Sequence, residues 1–447
     1  MVTRSTIMDT NSFRADDAAA GVSEETLAMT RRRSGLLGPS YRLFYSNPVH
    51  LVRGEGAYVW DSDGEKYLDV YNNVVSVGHC HPVVVEAIGR QAATLNTHTR
   101  YLHDGILDYA EDLLGTLPAP IDQVMFMCTG SEANDLAIRV ARAATGGNGI
   151  IVSAEAYHGT SDLTSAASPA LGGGQVLGDY VRLVEAPDAY RAPTHEVVAW
   201  FAGRIQAQID SLVASGQGFA GFLADSIFSS DGVLPGPRGY LAAAVDVVHR
   251  NGGVFISDEV QPGFGRTGEK FWGFERHGVV ADIVTMGKPM GNGMPISALA
   301  AKAEVLAPFA ENIPYFNTFG GNPVSIAAAQ ATLDVLRSEN LMEHSRVVGA
   351  RVLAELDALA ARHESIGDVR GAGLFIGLEL VQDRTTKTPD KALALAVVDA
   401  LRAKHVLTSV AGAGGNVLKL RPPLAFAEGD IDWLVGALDA VLTELGA

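Results

Sequence analysis

An aspartate and a lysine each follow a short apolar run in the middle of this 447-residue chain. Asp258 ends the run that begins at Val254, and Lys288 follows Ile283–Met286 inside a glycine-rich stretch. A carboxylate at such a place often caps a helix, and a lysine among glycines is often simply exposed. The pair also suits an enzyme in which an amine attaches a cofactor covalently and a carboxylate keeps a ring nitrogen protonated.

That chemistry is typical of pyridoxal phosphate (PLP), whose pyridine ring accepts electrons from the carbon next to an amine. A third segment offers an anion site, because Val124–Met127 leads into Cys128–Glu132, where a helical pattern begins. A Gly-Ser turn at a helix start presents backbone N–H groups to an anion. An ordinary helix capping box has the same sequence pattern, so this segment indicates PLP only together with Asp258 and Lys288.

Short apolar runs alternate with helical periodicity between about residues 80 and 300. The predicted strands are Val124–Met127, Ile150–Val152, Gly221–Ala224, Val254–Ile256 and Ile283–Met286, and the predicted helices include Glu132–Ala144 and Tyr240–Arg250. Strands that are apolar throughout and alternate with helices predict a largely parallel sheet covered on both faces. In such sheets ligands bind beyond the carboxyl ends of the strands.

The rest of the chain predicts a smaller unit and an N-terminal arm. Residues 35–78 hold short alternating strands, and residues 335–447 are mostly helical, ending in an amphipathic helix from about Asp430. We expect these two stretches to form a small α/β domain, residues 79–334 the large PLP-binding domain, and residues 1–34 a flexible arm. The predicted fold class is α/β, with a mainly parallel sheet between helices in the large domain.

Composition excludes several classes of function. The net charge of −17 argues against a nucleic-acid partner, which needs a basic face. No apolar run is long enough for a membrane span or a signal sequence, so we expect no membrane partner. The two cysteines, Cys80 and Cys128, are too few for a disulfide framework and fit a reducing cytoplasm.

Two further patterns could indicate a nucleotide site and a metal site, but the residues around them do not support either interpretation. Gly263–Gly268 matches a dinucleotide fingerprint, but no helix opens inside it, so a dehydrogenase is the weaker interpretation. Four histidines between residues 79 and 103 lack cysteine or carboxylate ligands at metal spacing, so we expect no metal. A PLP-binding regulator without catalysis would carry a DNA-binding module, and no basic N-terminal domain is present.

Six motifs in the same order make the chain similar to a known family. They are Thr129–Asn134, Ala156–Gly159, Ser257–Gln261, Gly287–Pro289, Asn317–Pro323 and Val369–Leu374. From about residue 40 onward the chain resembles the class III aminotransferases, which belong to the fold-type-I PLP enzymes. The resemblance implies that fold, PLP as cofactor and a homodimer; it leaves open whether dimers pair into tetramers.

The resemblance also implies eight cofactor contacts, made by Gly130, Ser131, Tyr157, Asp258, Val260, Gln261, Lys288 and Thr318. The first two are expected at the cofactor phosphate, Tyr157 and Val260 on opposite faces of the ring, and Gln261 near the ring hydroxyl. Thr318 is expected to reach the phosphate in the neighbouring subunit, which implies an obligate dimer with shared active sites.

Two positions depart from the usual aminotransferase pattern. The family often has an arginine for the substrate carboxylate three residues before the pair Pro422-Pro423, and this sequence has Lys419 there. Lysine is a compact charge that also suits phosphate, whereas arginine is a planar fork suited to carboxylates. Many relatives have Glu-Pro where this chain has Asp225-Ser226. Both departures resemble the ethanolamine-phosphate and phosphohydroxylysine phospho-lyases, although Asp225 differs from the glutamate expected even in that branch.

The sequence therefore predicts a PLP-dependent phospho-lyase that removes phosphate from a small phosphorylated amine such as ethanolamine phosphate, giving an aldehyde, ammonia and phosphate. Lys288 would move the proton of the amine-bearing carbon, and Asp258 would support the ring. Lys419 is the first candidate for binding the substrate phosphate; for Arg100, a surface or interface ion pair is an equal alternative. The alternative function is an ω-type aminotransferase, and a racemase would share every cofactor residue.

Overall fold

A computed structural model describes residues 11–13, 22–192 and 194–447 of the chain. The helices are α1 Glu24–Leu36, α2 Pro82–Ala92, α3 Asp104–Leu114, α4 Gly130–Thr145, α5 Asp162–Ala166, α6 Thr194–Ala214, α7 Tyr240–Arg250, α8 Ala303–Asn312, α9 Pro323–Ser338, α10 Leu341–Ala360, α11 Lys391–Ala403 and α12 Glu428–Glu444. The strands are β1 Leu51–Glu55, β2 Tyr58–Asp61, β3 Lys66–Asp69, β4 Ile121–Met127, β5 Gly149–Ser153, β6 Val181–Val184, β7 Phe219–Asp225, β8 Val254–Asp258, β9 Ile283–Met286, β10 Ser297–Lys302, β11 Ile366–Ala372, β12 Phe375–Asp383, β13 Thr388–Pro389, β14 Val406–Leu407, β15 Val410–Ala411 and β16 Val417–Leu420. The predicted α/β class is confirmed.

The large sheet has the strand order β4-β10-β9-β8-β7-β5-β6. Neighbouring strands from β9 to β6 are parallel, whereas β10 is antiparallel to both β9 and β4. Strands β5, β8 and β9 are buried along their whole length because helices cover both faces of the sheet. The carboxyl ends of β4, β7, β8 and β9 therefore share one edge, where the predicted ligand site lies.

The predicted strands around this edge agree with the structure to within a few residues. β9 and α7 have the predicted bounds, and β5, β7 and β8 extend beyond them by one or two residues. The strand β10 is not predicted by the sequence pattern. Its sequence is rich in alanine, which favours helices, and pairing with a strand on each side decides its structure.

Two smaller sheets have the orders β1-β2-β3-β14 and β11-β12-β16-β15. The parallel pairing of β3 with β14 joins residues 66–69 to residues 406–407. This pairing supports the proposed small domain of residues 35–78 and 335–447, beside a large domain of residues 79–334. The apolar face predicted for the last helix is buried in α12.

The predicted N-terminal arm, residues 1–34, contains an unpredicted helix. Helix α1 begins after Ser23, whose hydroxyl accepts a hydrogen bond from the backbone N–H of Thr26. Residues 11–13 lie against residues 43–45, and residues 1–10 and 14–21 of the arm lie outside the described residues. The flexibility of the arm remains a prediction. Within the described ranges, no helix is long and apolar enough to cross a membrane.

Candidate active site

A cavity of about 100 Å³ lies at the carboxyl ends of β4, β7, β8 and β9. Its lining includes seven of the eight residues expected to contact the cofactor, namely Gly130, Ser131, Tyr157, Asp258, Val260, Gln261 and Lys288. Four residues that were not predicted also line it, namely Asn134, His158, Gly159 and Asp225. The fold thus brings residues from distant segments of the chain into one cavity.

Asp258 is buried and accepts hydrogen bonds on both carboxylate oxygens. His158 Nδ1 lies 2.7 Å from Asp258 Oδ2, and the Asn134 amide donates to the same oxygen at 2.9 Å. The backbone N–H of Val260 donates to Oδ1 at 3.0 Å. The Thr285 hydroxyl donates to the Asn134 amide oxygen at 2.6 Å, which orients the amide nitrogen toward Asp258.

These contacts decide the ionisation of Asp258. Burial by itself would raise the pKa of Asp258, but the hydrogen bond and charge of His158, with the other donors, hold it below its usual value. The carboxylate stays ionised and can pair with a protonated ring nitrogen. The second ring nitrogen of His158, Nε2, is buried and has no hydrogen-bond partner among the described residues.

The start of α4 forms a cradle for an anion. Thr129 caps α4 through reciprocal hydrogen bonds with Glu132, so the N–H groups of Gly130 and Ser131 stand at the positive end of the helix dipole. Gly159 has a φ of +141°, and a Cβ there would lie 2.5 Å from Ser131 Oγ. Only glycine permits this close approach, which builds the second wall of the cradle.

Lys288 lies two residues beyond β9, and its side chain lines both the first cavity and an adjoining cavity of about 220 Å³. Burial, and then the nearby Arg421 guanidinium, lower the pKa of Lys288 from 10.5 to about 8. A neutral amine is needed for covalent attachment of a cofactor aldehyde. The lysine, the ionised Asp258 and the anion cradle together fit PLP.

The second cavity contains Lys419, as the sequence analysis predicts. Lys419 is the third residue of β16, and its side chain is buried. No hydrogen bond or ion pair within the described ranges involves its ammonium group. Burial, and then the neighbouring Arg421, lower the pKa of Lys419 well below 10.5. The cavity therefore holds a buried lysine amine with no carboxylate bonded to it among the described residues.

Arg421, which sequence analysis did not select, lines the same cavity. Its guanidinium donates to Asn73 Oδ1 at 3.0 Å and to Gln261 Oε1, and it stacks over the Tyr71 ring at 4.4 Å. Its Nε atom is buried and has no hydrogen-bond partner among the described residues. Residues two apart along an extended strand share a face, so the spacing of Lys419 and Arg421 was a usable signal.

Asp225 ends β7 directly beside Asp258 of β8. Its two carboxylate oxygens accept hydrogen bonds from the backbone N–H groups of Ile227 at 3.0 Å and Ser229 at 3.1 Å. Burial nevertheless raises the pKa of Asp225. The backbone of the following turn, and not Lys419, therefore holds this carboxylate in place.

Gln261 lies in both cavities, but its amide makes contacts within the protein. Its nitrogen donates to Ser229 Oγ at 2.6 Å, and its oxygen accepts from Arg421. Gln261 therefore links the turn after β7 to Arg421 in the second cavity. Its expected contact with the cofactor ring hydroxyl remains a prediction.

Thr318 and Arg100 lie outside both cavities. Thr318 is exposed, which is compatible with the expected contact to a neighbouring subunit and gives it no role in the cavity of its own chain. The Arg100 guanidinium is exposed and lies over the Phe316 ring at 4.1 Å. The side chain of Arg100 therefore packs on a surface aromatic ring, and its expected role at the substrate phosphate remains a prediction.

Comparisons with known proteins show the family to which the chain belongs. A family model described as aminotransferase class-III matches residues 44–442. An alanine–glyoxylate aminotransferase 2-like protein of Drosophila melanogaster is 42% identical over 443 residues, covering 95% of this chain and 90% of that protein. An ethanolamine-phosphate phospho-lyase homolog 1 of Caenorhabditis elegans is 39% identical over 454 residues, covering 96% of this chain and 97% of that protein.

A solved structure provides the third comparison. A phospholyase from Arthrobacter in complex with phosphoethanolamine is 40% identical and superposes with a TM-score of 0.90. The match covers 93% of this chain and 99% of that chain. The resemblance inferred from the six motifs and the expected fold type are both confirmed.

Proposed function

The chain belongs to the class-III aminotransferase family, and we propose that it is a phospho-lyase acting on a small phosphorylated amine such as ethanolamine phosphate. The main support is the second cavity, where Lys419 and Arg421 line the same wall as Lys288, and no carboxylate of the described residues is bonded to either side chain. Two buried cations are costly unless an anion joins them. A phosphate group is an anion of the size and charge that such a pair accommodates.

Members of this family are PLP-dependent, and the first cavity fits that cofactor. When bound, PLP supplies a ring that takes up the electron pair left on the amine-bearing carbon. Asp258 would hold the proton on the ring nitrogen, because His158 and Asn134 keep its carboxylate ionised. Gly130 and Ser131 would bind the cofactor phosphate through their backbone N–H groups.

Lys288 would remove the proton from the amine-bearing carbon. With a pKa of about 8, an appreciable fraction of this amine is neutral near neutral pH and can accept a proton. The phosphate then leaves the adjacent carbon with the electron pair of its C–O bond. Lys419 and Arg421 would stabilise the charge that grows on the departing group. Addition of water completes the balance: one ethanolamine phosphate and one water give acetaldehyde, ammonia and phosphate.

We also propose that the protein works as a homodimer with shared sites. The support is a pair of exposed aromatic side chains on either side of Thr318 in the sequence: Phe316 is 44% exposed and Phe319 70%. Apolar side chains this exposed on one surface are typical of protein interfaces. A dimer contact there would bring Thr318 to a neighbouring subunit, as the family resemblance implies.

An aminotransferase is the second candidate function. The relative from Drosophila melanogaster carries an aminotransferase name, and Arg421 can bind a carboxylate as well as a phosphate. The two functions differ in their need for a keto acid. An aminotransferase leaves the amino group on its cofactor and needs a keto acid to turn over repeatedly, whereas the lyase releases ammonia.

The deciding experiment incubates PLP-loaded protein with ethanolamine phosphate and no keto acid, and follows phosphate and acetaldehyde. We expect sustained, equimolar release of both products, absent in Lys288→Ala. No release, combined with turnover of an amine once pyruvate is added, would refute the lyase and support the aminotransferase. Sedimentation of the same preparation tests the dimer.

A further inference from the structure

The N-terminal segment Asn11–Phe13 lies against the wall of the substrate cavity. The backbone N–H of Phe13 donates to Leu43 O at 2.8 Å, and that of Tyr45 donates to Asn11 O at 3.0 Å. This antiparallel contact fixes the segment on Phe44, which lines the cavity. We propose that the segment completes the binding site for the substrate phosphate, with Ser409 as the binding residue and Asn11 as its positioning residue. The inference rests on the proposed phospho-lyase function.

Ser409 stands directly opposite Lys419. Its carbonyl accepts the backbone N–H of Lys419 at 2.8 Å, and the next pair along the two strands is Val410 with Leu418. Side chains of directly opposed residues in antiparallel strands lie on the same face, about 5 Å apart at Cβ. Ser409 lines the cavity together with Lys419 and Arg421. Its hydroxyl is therefore next to the two cations that the proposed phosphate would meet.

The contact between Asn11 and Ser409 has two possible directions. In the structure Ser409 Oγ donates to Asn11 Oδ1 at 3.1 Å, while Asn11 Nδ2 is buried and lacks a hydrogen-bond partner among the described residues. A serine hydroxyl has a single hydrogen, so in this direction it offers only lone pairs to the cavity, and a phosphate oxygen cannot accept from it.

Rotation of the Asn11 amide by half a turn exchanges its oxygen and nitrogen. Asn11 Nδ2 then donates to Ser409 Oγ, which gives the buried amide nitrogen a partner. The hydroxyl hydrogen of Ser409 becomes free to point into the cavity and donate to a phosphate oxygen. The bound state thus has a chain of donors that runs from Asn11 through Ser409 to the phosphate.

The test measures ethanolamine phosphate turnover, inhibition by inorganic phosphate and binding of unphosphorylated ethanolamine, all with PLP-loaded protein. Ser409→Ala should raise KM and the inhibition constant of phosphate about 10-fold, the effect of one hydrogen bond to a charged acceptor. Asn11→Ala should raise both about 5-fold, and the double variant should not exceed Ser409→Ala, because both act through one hydroxyl. Binding of unphosphorylated ethanolamine should stay within about threefold, because that ligand carries no phosphate.

Two further variants sharpen the result. An ionised Asp at position 11 only accepts hydrogen bonds, so Asn11→Asp should hold the Ser409 hydrogen away from the phosphate. Its negative charge would also repel the phosphate, so this variant should cause the largest rise in KM. Asn251→Ala makes the same chemical change as Asn11→Ala at an exposed position, where the amide nitrogen donates to Val247 O at 2.8 Å, and it should stay within about twofold. Additive effects of Asn11→Ala and Ser409→Ala, or unchanged phosphate inhibition, would overturn the inference while leaving the lyase intact. Absence of phosphate release by the wild type would instead refute the lyase itself.

Discussion

Replacing Lys419 by methionine separates the contribution of this buried lysine to activity from its contribution to stability. Methionine has a similar length and no charge, so the change removes the cation while filling most of the same space. The Lys419 ammonium makes no hydrogen bond or ion pair within the described part of the chain, and Arg421 stands beside it in the cavity. In this part of the chain Lys419 therefore has no bonded partner, and an entering anion would favour the protonated form of its amine.

The expected effects on activity and on stability have opposite signs. A buried charged contact to the substrate phosphate contributes about 3 kcal/mol, so kcat/KM for ethanolamine phosphate should fall about 100-fold. The unliganded protein should become more stable by about 1 kcal/mol, because an apolar side chain replaces a buried amine that has no hydrogen-bond partner among the described residues. Loss of activity with gain of stability cannot arise from misfolding.

The assay combines steady-state phosphate release with thermal unfolding of the unliganded protein. Lys404→Met is the matched control: it makes the same chemical change at an exposed position, where the lysine donates to Glu444 at 2.7 Å, and should keep kcat/KM within about twofold. If Lys419→Met retains kcat/KM within threefold while the wild type releases phosphate, Lys419 does not bind the substrate phosphate.

Three other predictions follow from the site. The Lys288 amine must be neutral to bind the cofactor aldehyde, so the rate of PLP attachment to cofactor-free protein should rise with pH, with a midpoint near 8, and then level off. Arg421→Met should move this midpoint to higher pH, because a neighbouring positive charge is lost. Stopped-flow absorbance measures the rate in both proteins. His158→Phe should raise the pKa of Asp258 and lower kcat about 10-fold with little change in KM, as one charge-assisted hydrogen bond is lost; an unchanged kcat would show that His158 does not tune Asp258. Thr318→Val should weaken PLP binding severalfold in titrations while Thr386→Val does not, and equal affinities would contradict a shared cofactor site.

Much of the large domain could be predicted because the secondary structure that its local sequence favours is also the one that it adopts in the folded protein. The strand β9 is apolar throughout and buried on both sides, so its bounds could be read from the sequence alone. The strand β10 could not, because alanines carry no strand signal and its neighbours β4 and β9 decide its structure. Helix α1 was not predicted because its sequence has few apolar residues, so the capping residue Ser23 stood beside no apolar periodicity that would indicate a helix.

The candidate site shows the same division. Lys288 and Asp258 carry a recognisable signal, because a charged residue beside a buried strand is costly unless it has a partner or a function. His158 and Asn134 carry none, since each could serve many purposes until the fold brings it to Asp258. Arg421 was overlooked although it shares a strand face with Lys419, the residue that the motif singled out.

The sequence by itself determined the family, the cofactor chemistry that this family uses and most of the residues that line the first cavity. It could do so because these residues occupy short motifs at strand ends, where position along the chain already implies position in a parallel sheet. Only the tertiary structure decided which groups lie in and around the second cavity: Arg421 beside Lys419, Asp225 held by its own turn, and Asn11 against Ser409. These contacts join segments far apart in the chain, and their energies arise from burial and charge that exist only after folding.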